Sequence, residues 1–133
     1  ASTDAAPNPF QVARYVRGGV RGLAVETFFV LHLNTRRRLI ELQRLSQGTL
    51  DTVFVHPREV FRRAIALGAH SIALAHNHPS GDPSPSDPDV RLTRDLIRAG
   101  HLLRIEVVDH VIVGQPIVGQ GKDWMSLREL GLF

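Results

Sequence analysis

The sequence predicts an α/β sandwich built around a mixed sheet. Segments with strand-like patterns alternate with helical ones, which is typical of a sheet covered by helices. The run Ser71–Ala75 is short and continuously apolar, as expected of a central strand buried on both faces. With 133 residues, of which 43% are hydrophobic, the chain is long enough for one domain with a core of two or three layers.

The first part of the chain is expected to form a short helix followed by paired strands. The predicted elements are a helix at Phe10–Val16, a strand at Ala24–Leu33, its antiparallel partner at Arg38–Leu45 and an extended segment at Gly48–Val55. Gly18 and Gly19 are expected to end the helix, because glycine disfavours helix. The polar residues 34–37 favour a hairpin turn between the strands. Residues 1–22 are assigned to a leader with a short helix, and residues 23–133 to the main domain.

The second part is expected to alternate helix and strand. The predicted elements are a helix from Pro57 to Leu67, a strand at Ser71–Ala75, a helix at Asp87–Ala99, a bent strand pair at Leu103–Val113 and a closing helix at Trp124–Leu130. The first of these helices carries an apolar stripe of Val60, Phe61, Ala64, Ile65 and Leu67. Gly68 and Gly100 are expected to end the two longer helices, since glycine readily adopts the left-handed conformation found there.

Four residues in the segment 76–89 indicate a metal site. His76 and His78 are one residue apart, so their side chains point the same way if the backbone is extended. Ser86 and Asp89 are spaced like the cap and third residue of a helix whose apolar positions turn Asp89 inward. Two imidazoles and one carboxylate are three ligands of a catalytic zinc, with the fourth position left for water. The pattern therefore predicts a metal-dependent hydrolase.

Other interpretations of the same segment stand beside the metal site. Ser86 and Asp89 also match a capping box, which needs no metal. His76 and His78 also fit a solvated loop that follows a buried strand. In the HNH nucleases the three letters mark residues far apart in sequence, so the contiguous letters at 76–78 carry no information about that class.

Hydrolysis of an amide also needs a group that moves a proton from water to the leaving amine, and a glutamate suits that role. The candidates are Glu26, Glu41, Glu59, Glu106 and Glu129. Glu26 differs from the others because it shares a predicted strand face with Phe28 and Val30, where an unpaired carboxylate would be costly to bury. An exposed position at the start of the strand is the alternative for Glu26.

The remaining histidines are assigned ordinary roles. Surface or strand-edge positions are expected for His32, His56, His70 and His101. Asp109 and His110 could orient a ligand imidazole through its far nitrogen. A polar bend between two strands is the favoured interpretation of that pair.

The composition excludes several classes of protein. The chain has no cysteine, so disulfides, thiolate metal sites and cysteine nucleophiles are excluded, and a reducing cytoplasm is the expected location. No apolar run approaches the length of a membrane span. The net charge is +3, and every basic residue except Lys122 is an arginine. The one dense run, Arg36, Arg37 and Arg38, is interpreted as a solvated hairpin turn in preference to a phosphate contact.

The motif resembles that of the JAMM, or MPN+, metalloproteases, in which a glutamate precedes a His-x-His pair and a Ser-x-x-Asp follows it. His76–Asp89, Thr93, Asp109–Gly114 and Ser126–Leu127 are more specifically similar to the RadC family. The similarity extends roughly from Glu26 to Phe133.

The resemblance implies a three-layer α/β/α sandwich of the cytidine-deaminase-like type. It implies one Zn²⁺ per chain, bound by His76, His78 and Asp89. It assigns Glu26 as the general acid/base and Ser86 as the hydroxyl that stabilises the oxyanion. The deaminases themselves are excluded, because they need a Cys pair and the chain has none.

Two classes of function follow from these observations. The first is a zinc metallopeptidase or isopeptidase that cleaves an amide bond in a protein or peptide. The alternative is a nucleic-acid-associated module, linked by the family name to DNA repair, that has a structural metal or hydrolyses phosphodiesters and contacts nucleic acid weakly through Arg36, Arg37 and Arg38. RadC-like proteins commonly carry a helix-hairpin-helix region ahead of this domain, for which the residues before the first predicted strand are too few. An exposed strand edge would also allow a homodimer.

Overall fold

The structure, a computed structural model, describes residues 8–20, 26–47, 55–114 and 123–133. Within these ranges the chain forms three helices and five strands. In chain order they are α1 (Pro9–Val20), β1 (Thr27–Leu33), β2 (Leu39–Gln47), α2 (Pro57–Leu67), β3 (Ser71–Asn77), α3 (Asp87–Leu103), β4 (Glu106–Val113) and β5 (Trp124–Ser126).

The five strands form one mixed sheet in the order β2-β1-β3-β4-β5. Strands β3 and β4 are parallel, and the other neighbouring pairs are antiparallel. One apolar cluster joins α1 to one face of the sheet, and a second joins α2 and α3 to the other. The predicted three-layer α/β/α sandwich with a mixed sheet is therefore confirmed.

Strand β3 lies at the centre of the sheet, and all seven of its residues are buried. Ala73 and Ala75 face the α1 layer, whereas Ile72 and Leu74 face the layer of α2 and α3. Because side chains alternate along a strand, His76 continues the row of Ile72 and Leu74. The first histidine of the motif is thus directed toward the helix that follows it.

Helix α2 has the predicted boundaries. It begins at Pro57, where a missing N–H has no intrahelical partner to lose, and Gly68 closes it at φ +65°. Val60, Phe61 and Ala64 are buried as predicted. Ile65 was assigned to the same stripe and is 59% exposed, so that assignment was wrong.

The glycines that were expected to end the first and third helices lie inside those helices. Helix α1 continues past Gly18 and Gly19, while its buried residues Val12 and Val16 anchor it to the core. Helix α3 passes Gly100 and ends at Leu103, and its C-cap residue Arg104 takes the left-handed conformation at φ +58°. A methyl group on Gly100 would clash with the carbonyl oxygen of Ile105. Gly100 therefore permits a close backbone contact within the turn instead of terminating the helix.

Two further predictions about the C-terminal part were wrong. The bent strand pair at Leu103–Val113 is the end of α3 followed by a single strand, β4. The closing helix at Trp124–Leu130 is the short strand β5 followed by turns. Strand β5 pairs with Val111–Val113, so a partner distant in sequence overrides the local helical pattern.

The remaining predictions concern the N-terminal part of the domain. The β1–β2 hairpin is present, and its turn holds Arg36 and Arg37, as predicted. Most of the extended segment predicted at Gly48–Val55 lies outside the described residues. The predicted boundary between residues 22 and 23 also lies outside them and stays a prediction. Among the helices that the structure describes, none has the length and apolar character needed to cross a membrane.

Candidate metal centre

The fold brings the five predicted site residues into one network of contacts. His76 is near the end of β3, and His78 follows that strand directly. Ser86 is the N-cap residue of α3, and Asp89 lies in its first turn. Glu26 immediately precedes β1, which pairs antiparallel with β3 and places Phe28 opposite His76. The start of β1 therefore returns to the end of β3.

Four ligand-type atoms, two imidazole nitrogens and the two oxygens of one carboxylate, lie close together at the centre of the network. The Nε2 atoms of His76 and His78 are 3.1 Å apart. Oδ1 of Asp89 is 3.2 Å from Nε2 of His76, and Oδ2 is 3.1 Å from Nε2 of His78. Ligands about 2.0–2.1 Å from a tetrahedral zinc lie roughly 3.3 Å from one another. The separation of the two nitrogens is close to that spacing, and each nitrogen lies at a similar distance from a different oxygen of the Asp89 carboxylate.

His78 is oriented by the backbone of its own loop. Its Nδ1 is 2.9 Å from the carbonyl oxygen of Asp82, which can only accept, so Nδ1 donates and Nε2 is left as the atom that faces the site. Burial lowers the pKa of His78, but hydrogen bonds with Asp89 and Asp82 outweigh it and raise the pKa above its ordinary value. A histidine binds a metal only through an unprotonated nitrogen, so protonation of His78 would compete with a metal ion at this atom.

Asp89 is ionised at neutral pH. Burial works to raise its pKa, but close contact with the imidazoles of His76 and His78 outweighs that effect and holds the pKa well below its usual range. The Ser86 hydroxyl accepts from the Asp89 N–H at 3.2 Å, and Oδ2 of Asp89 accepts from the Ser86 N–H at 2.8 Å. The capping box is therefore present, and it uses the same carboxylate that meets the two imidazoles. The two interpretations of these residues are compatible.

Glu26 lies beside the histidine pair. Its Oε1 is 3.9 Å from Nε2 of His78. Its side chain is 14% exposed, so the alternative of a solvent-exposed position at the start of the strand is wrong. One ligand atom each from Glu26, His76 and His78 lie within 4.8 Å of one another. Asn77 fixes the backbone next to Glu26, because its Oδ1 accepts from the Thr27 N–H at 2.7 Å. The residue between the two histidines thus holds the strand that carries the glutamate.

The favoured interpretation of His110 as part of a polar bend was wrong, whereas the alternative, that it orients a ligand imidazole through its far nitrogen, matches its contact with His76. It is fully buried in β4, and its Nε2 is 2.7 Å from Nδ1 of His76. Its Nδ1 is 2.6 Å from the hydroxyl of Thr93 on α3. Burial, followed by the nearby His76, holds the pKa of His110 well below its ordinary value. The available sequence signal was the similarity to the RadC family at Thr93 and at the Asp109–His110 pair.

Asp109 has a different role from its neighbour. Its Oδ2 accepts from the Ser126 hydroxyl at 2.6 Å, and its Oδ1 accepts from the N–H of Arg128 at 3.3 Å. Burial raises the pKa of Asp109, although the hydrogen bond from Ser126 opposes the shift. Asp109 therefore fastens the C-terminal strand to the sheet, and none of its hydrogen bonds among the described residues goes to His76, His78 or Asp89.

The structure contradicts the prediction for His32 and gives one arginine of the run 36–38 a partner. His32 was expected at a surface or strand edge, yet it is fully buried in β1, with Nε2 2.7 Å from Oε1 of Gln43. That expectation was wrong, because the second strand and α2 cover its side chain. In the arginine run, Arg37 forms an ion pair with Glu106 at 2.8 Å. An ion pair within the domain therefore offsets the charge of one of the three arginines.

The loop that carries His78 is in close contact with the end of β4. The His78 N–H donates to the carbonyl of Val113 at 2.9 Å. Next to it, Gly114 approaches Gly81 so closely that a methyl group on Gly114 would clash with the Gly81 carbonyl oxygen. The position of His78 therefore depends on the absence of a side chain at residue 114.

Comparison with known proteins assigns this chain to a family. Residues 6–132 match the family described as the RadC-like JAB domain. The chain belongs to that family. It is 45% identical over 125 residues to a UPF0758 protein of Symbiobacterium thermophilum, and 45% identical over 121 residues to one of Chlorobium chlorochromatii. A third UPF0758 protein, from Moorella thermoacetica, is 47% identical over 107 residues.

The matched segments cover most of this chain but only about half of each relative. They include 94%, 91% and 80% of this RadC-like chain, but only 51%, 52% and 47% of the respective relatives. The chain therefore spans about half the length of the curated relatives it matches. The suspected relationship to the RadC family is confirmed at the level of this domain.

Proposed function

We propose that this RadC-like domain is a zinc-dependent hydrolase that cleaves an amide bond in a protein or peptide. The proposal rests on one observation above all: the Nε2 atoms of two imidazoles lie 3.1 Å apart, and each is within 3.2 Å of an oxygen of one carboxylate, with a second carboxylate beside them. His76, His78 and Asp89 would hold one Zn²⁺. The donor set suits this metal, because zinc in proteins binds imidazole nitrogen and carboxylate oxygen.

Bound zinc supplies Lewis acidity, which polarises a carbonyl group and makes water a stronger acid at neutral pH. The domain's own residues must then move the proton. Glu26 is placed for this step, because its carboxylate is 3.9 Å from the imidazole of His78 and largely shielded from solvent. It takes the proton from the attacking water and delivers it to the leaving amine nitrogen.

Ser86 is suited to stabilise the oxyanion. Its oxygen already accepts from the Asp89 N–H, so its own hydroxyl proton is left to donate. The hydroxyl is held at the first turn of α3, where the helix dipole also favours negative charge. A donor fixed in place before the reaction contributes more to rate than one that must reorient.

The first test is the zinc content of the purified domain by elemental mass spectrometry. We expect close to one zinc per wild-type chain and much less in Asp89→Ala. Asp95→Ala is the matched control, because Asp95 lies exposed on the same helix. No zinc in the wild type, even after zinc is supplied, would remove the basis of the proposal.

The second test separates catalysis from metal binding. Glu26→Gln is expected to keep its zinc and to lose turnover of a peptide library, because the amide cannot accept the proton. Glu59→Gln, on the exposed surface of α2, should behave like the wild type. Full activity in Glu26→Gln would contradict the assigned role.

The nucleic-acid alternative depends on the charge of Arg36, Arg37 and Arg38 and stays a prediction. If it is right, replacing the three arginines by alanine removes binding to an oligonucleotide, and wild-type binding weakens steeply with salt. Binding that is absent or insensitive to salt would contradict it.

A further inference from the structure

A chain of three hydrogen bonds connects His76 to the backbone of Asp89. Nδ1 of His76 is 2.7 Å from Nε2 of His110, and Nδ1 of His110 is 2.6 Å from the hydroxyl oxygen of Thr93. The Thr93 hydroxyl donates in turn to the carbonyl oxygen of Asp89 at 2.7 Å. His110 is fully buried and Thr93 is 1% exposed, so solvent does not compete for these bonds.

The chemistry of the groups gives this chain a single direction. The carbonyl of Asp89 can only accept, so the Thr93 hydroxyl donates its one proton there and must accept from His110. Nδ1 of His110 therefore carries the hydrogen, and its Nε2 accepts in a neutral ring. Nδ1 of His76 must then donate, which leaves the lone pair of His76 on Nε2.

That lone pair is on the atom that faces the site. Nε2 of His76 is 3.1 Å from Nε2 of His78 and 3.2 Å from Oδ1 of Asp89. The opposite tautomer would place a hydrogen there and prevent coordination. The Phe28 ring stacks on His76 with centroids 5.8 Å apart and meets His110 edge-on at 5.6 Å, so both imidazoles are also fixed by packing.

We propose that Thr93 and His110 are positioning residues that hold His76 in its metal-binding tautomer and orientation. The inference rests on the proposed function, in which His76 and Asp89 bind the same ion. Because the chain begins on the backbone of Asp89 and ends on His76, it ties the ligand of α3 to the ligand of β3. A bound metal would connect the same two ligands a second time.

The test is zinc affinity, measured by competition with a chromophoric chelator, together with the visible absorption spectrum of the Co²⁺-substituted domain. Thr93→Val keeps the shape of the side chain and removes the hydroxyl. We expect its zinc affinity to fall about 10- to 100-fold, as for other residues that orient a metal ligand, and its cobalt bands to shift. Thr93→Ser restores the hydroxyl and should restore both measurements.

Ser71→Ala is the matched control, because it also removes a fully buried hydroxyl. Ser71 lies at the opposite end of β3 from His76, and its hydroxyl has no hydrogen-bond partner among the described residues. Its zinc affinity should equal that of the wild type. Unchanged affinity and cobalt spectrum in Thr93→Val would overturn the inference.

A second measurement needs no variant and so does not depend on the folding of one. Long-range ¹H–¹⁵N spectra of the histidine-labelled wild-type domain identify which ring nitrogen carries hydrogen. Hydrogen on Nδ1 of both His76 and His110 supports the inference, and hydrogen on Nε2 of His110 overturns it. A wild type that binds zinc but fails this test refutes the positioning chain alone. A wild type that binds no zinc refutes the proposed function as well.

Discussion

Gly114→Ala tests whether close backbone contact holds the loop that carries His78. A methyl group on Gly114 would lie 2.9 Å from the carbonyl carbon of Gly81 and 3.0 Å from Cδ of Pro83. Carbon atoms in contact are normally about 3.5–4.0 Å apart, so the loop must move by roughly 0.5–1 Å. Gly114 does not have a positive φ, so the substitution adds the contact without forcing an unfavourable backbone conformation.

The movement is expected to reach the metal centre through His78. Its N–H is bound to Val113 and its ring to the carbonyl of Asp82, so displacement of the loop changes the position of Nε2. Zinc sites tolerate deviations of only about 0.2 Å in ligand distance. We therefore expect zinc affinity to fall at least about tenfold. The free energy of unfolding should fall by about 1–3 kcal/mol, as for other overpacked sites.

The assay combines chelator competition for zinc with urea unfolding of the metal-free domain. Gly100→Ala is the matched control, because its methyl group would also clash with a backbone carbonyl, that of Ile105, at the far end of α3. Both variants should lose stability, and only Gly114→Ala should lose zinc affinity. Unchanged zinc affinity in Gly114→Ala, or an equal loss in Gly100→Ala, would refute the reasoning.

Three further predictions concern Ser86, Asn77 and His32. Ser86→Ala should lower the free energy of unfolding by about 1 kcal/mol through loss of the cap, and it should also lower turnover. Ser86→Asp should restore stability but not turnover, since an aspartate caps the helix without donating a hydrogen bond. Turnover in Ser86→Asp equal to that of the wild type would count against the oxyanion role. Asn77→Ala leaves the Thr27 N–H without its acceptor and should cost about 1–3 kcal/mol and reduce turnover while zinc content stays unchanged, as measured by urea unfolding and elemental analysis. Burial lowers the pKa of His32 despite its hydrogen bond with Gln43, so the unfolded chain takes up a proton that the folded one does not; stability should fall as the pH drops below about 6.5, and His32→Leu should flatten that decline in unfolding experiments from pH 8 to pH 5.

The residues around the site could be placed from sequence because their patterns are local. The spacing of His76 and His78 fits a strand end, and that of Ser86 and Asp89 fits a helix start, so each pair is set by the geometry of one element. The position of Glu26 beside them could not be derived in this way. It depends on the antiparallel register of β1 with β3, which no local pattern encodes.

The errors share a cause of the opposite kind. Gly100 has the same local signal as a helix terminator, but a close contact with Ile105 decides its role. Trp124–Ser126 has a helical pattern, but pairing with β4 makes it a strand. His110 and Asp109 look like a polar bend until Thr93 and Ser126 supply partners for them. In each case the deciding neighbour lies outside the segment whose local pattern gave the prediction.

The parallel β3–α3–β4 unit also has a consequence for how the domain acquires its properties during folding. All three proposed zinc ligands belong to one continuous segment, 76–89, so bringing them together closes only a short loop and costs little chain entropy. The glutamate arrives differently, because the hydrogen bond between Thr27 and Asn77 joins residues 50 positions apart. If the proposed function is right, the short loop brings the three ligands together early in folding, and contact with His110 on β4 then fixes the tautomer of His76. The glutamate proposed to move the proton joins them only when β1 pairs with β3.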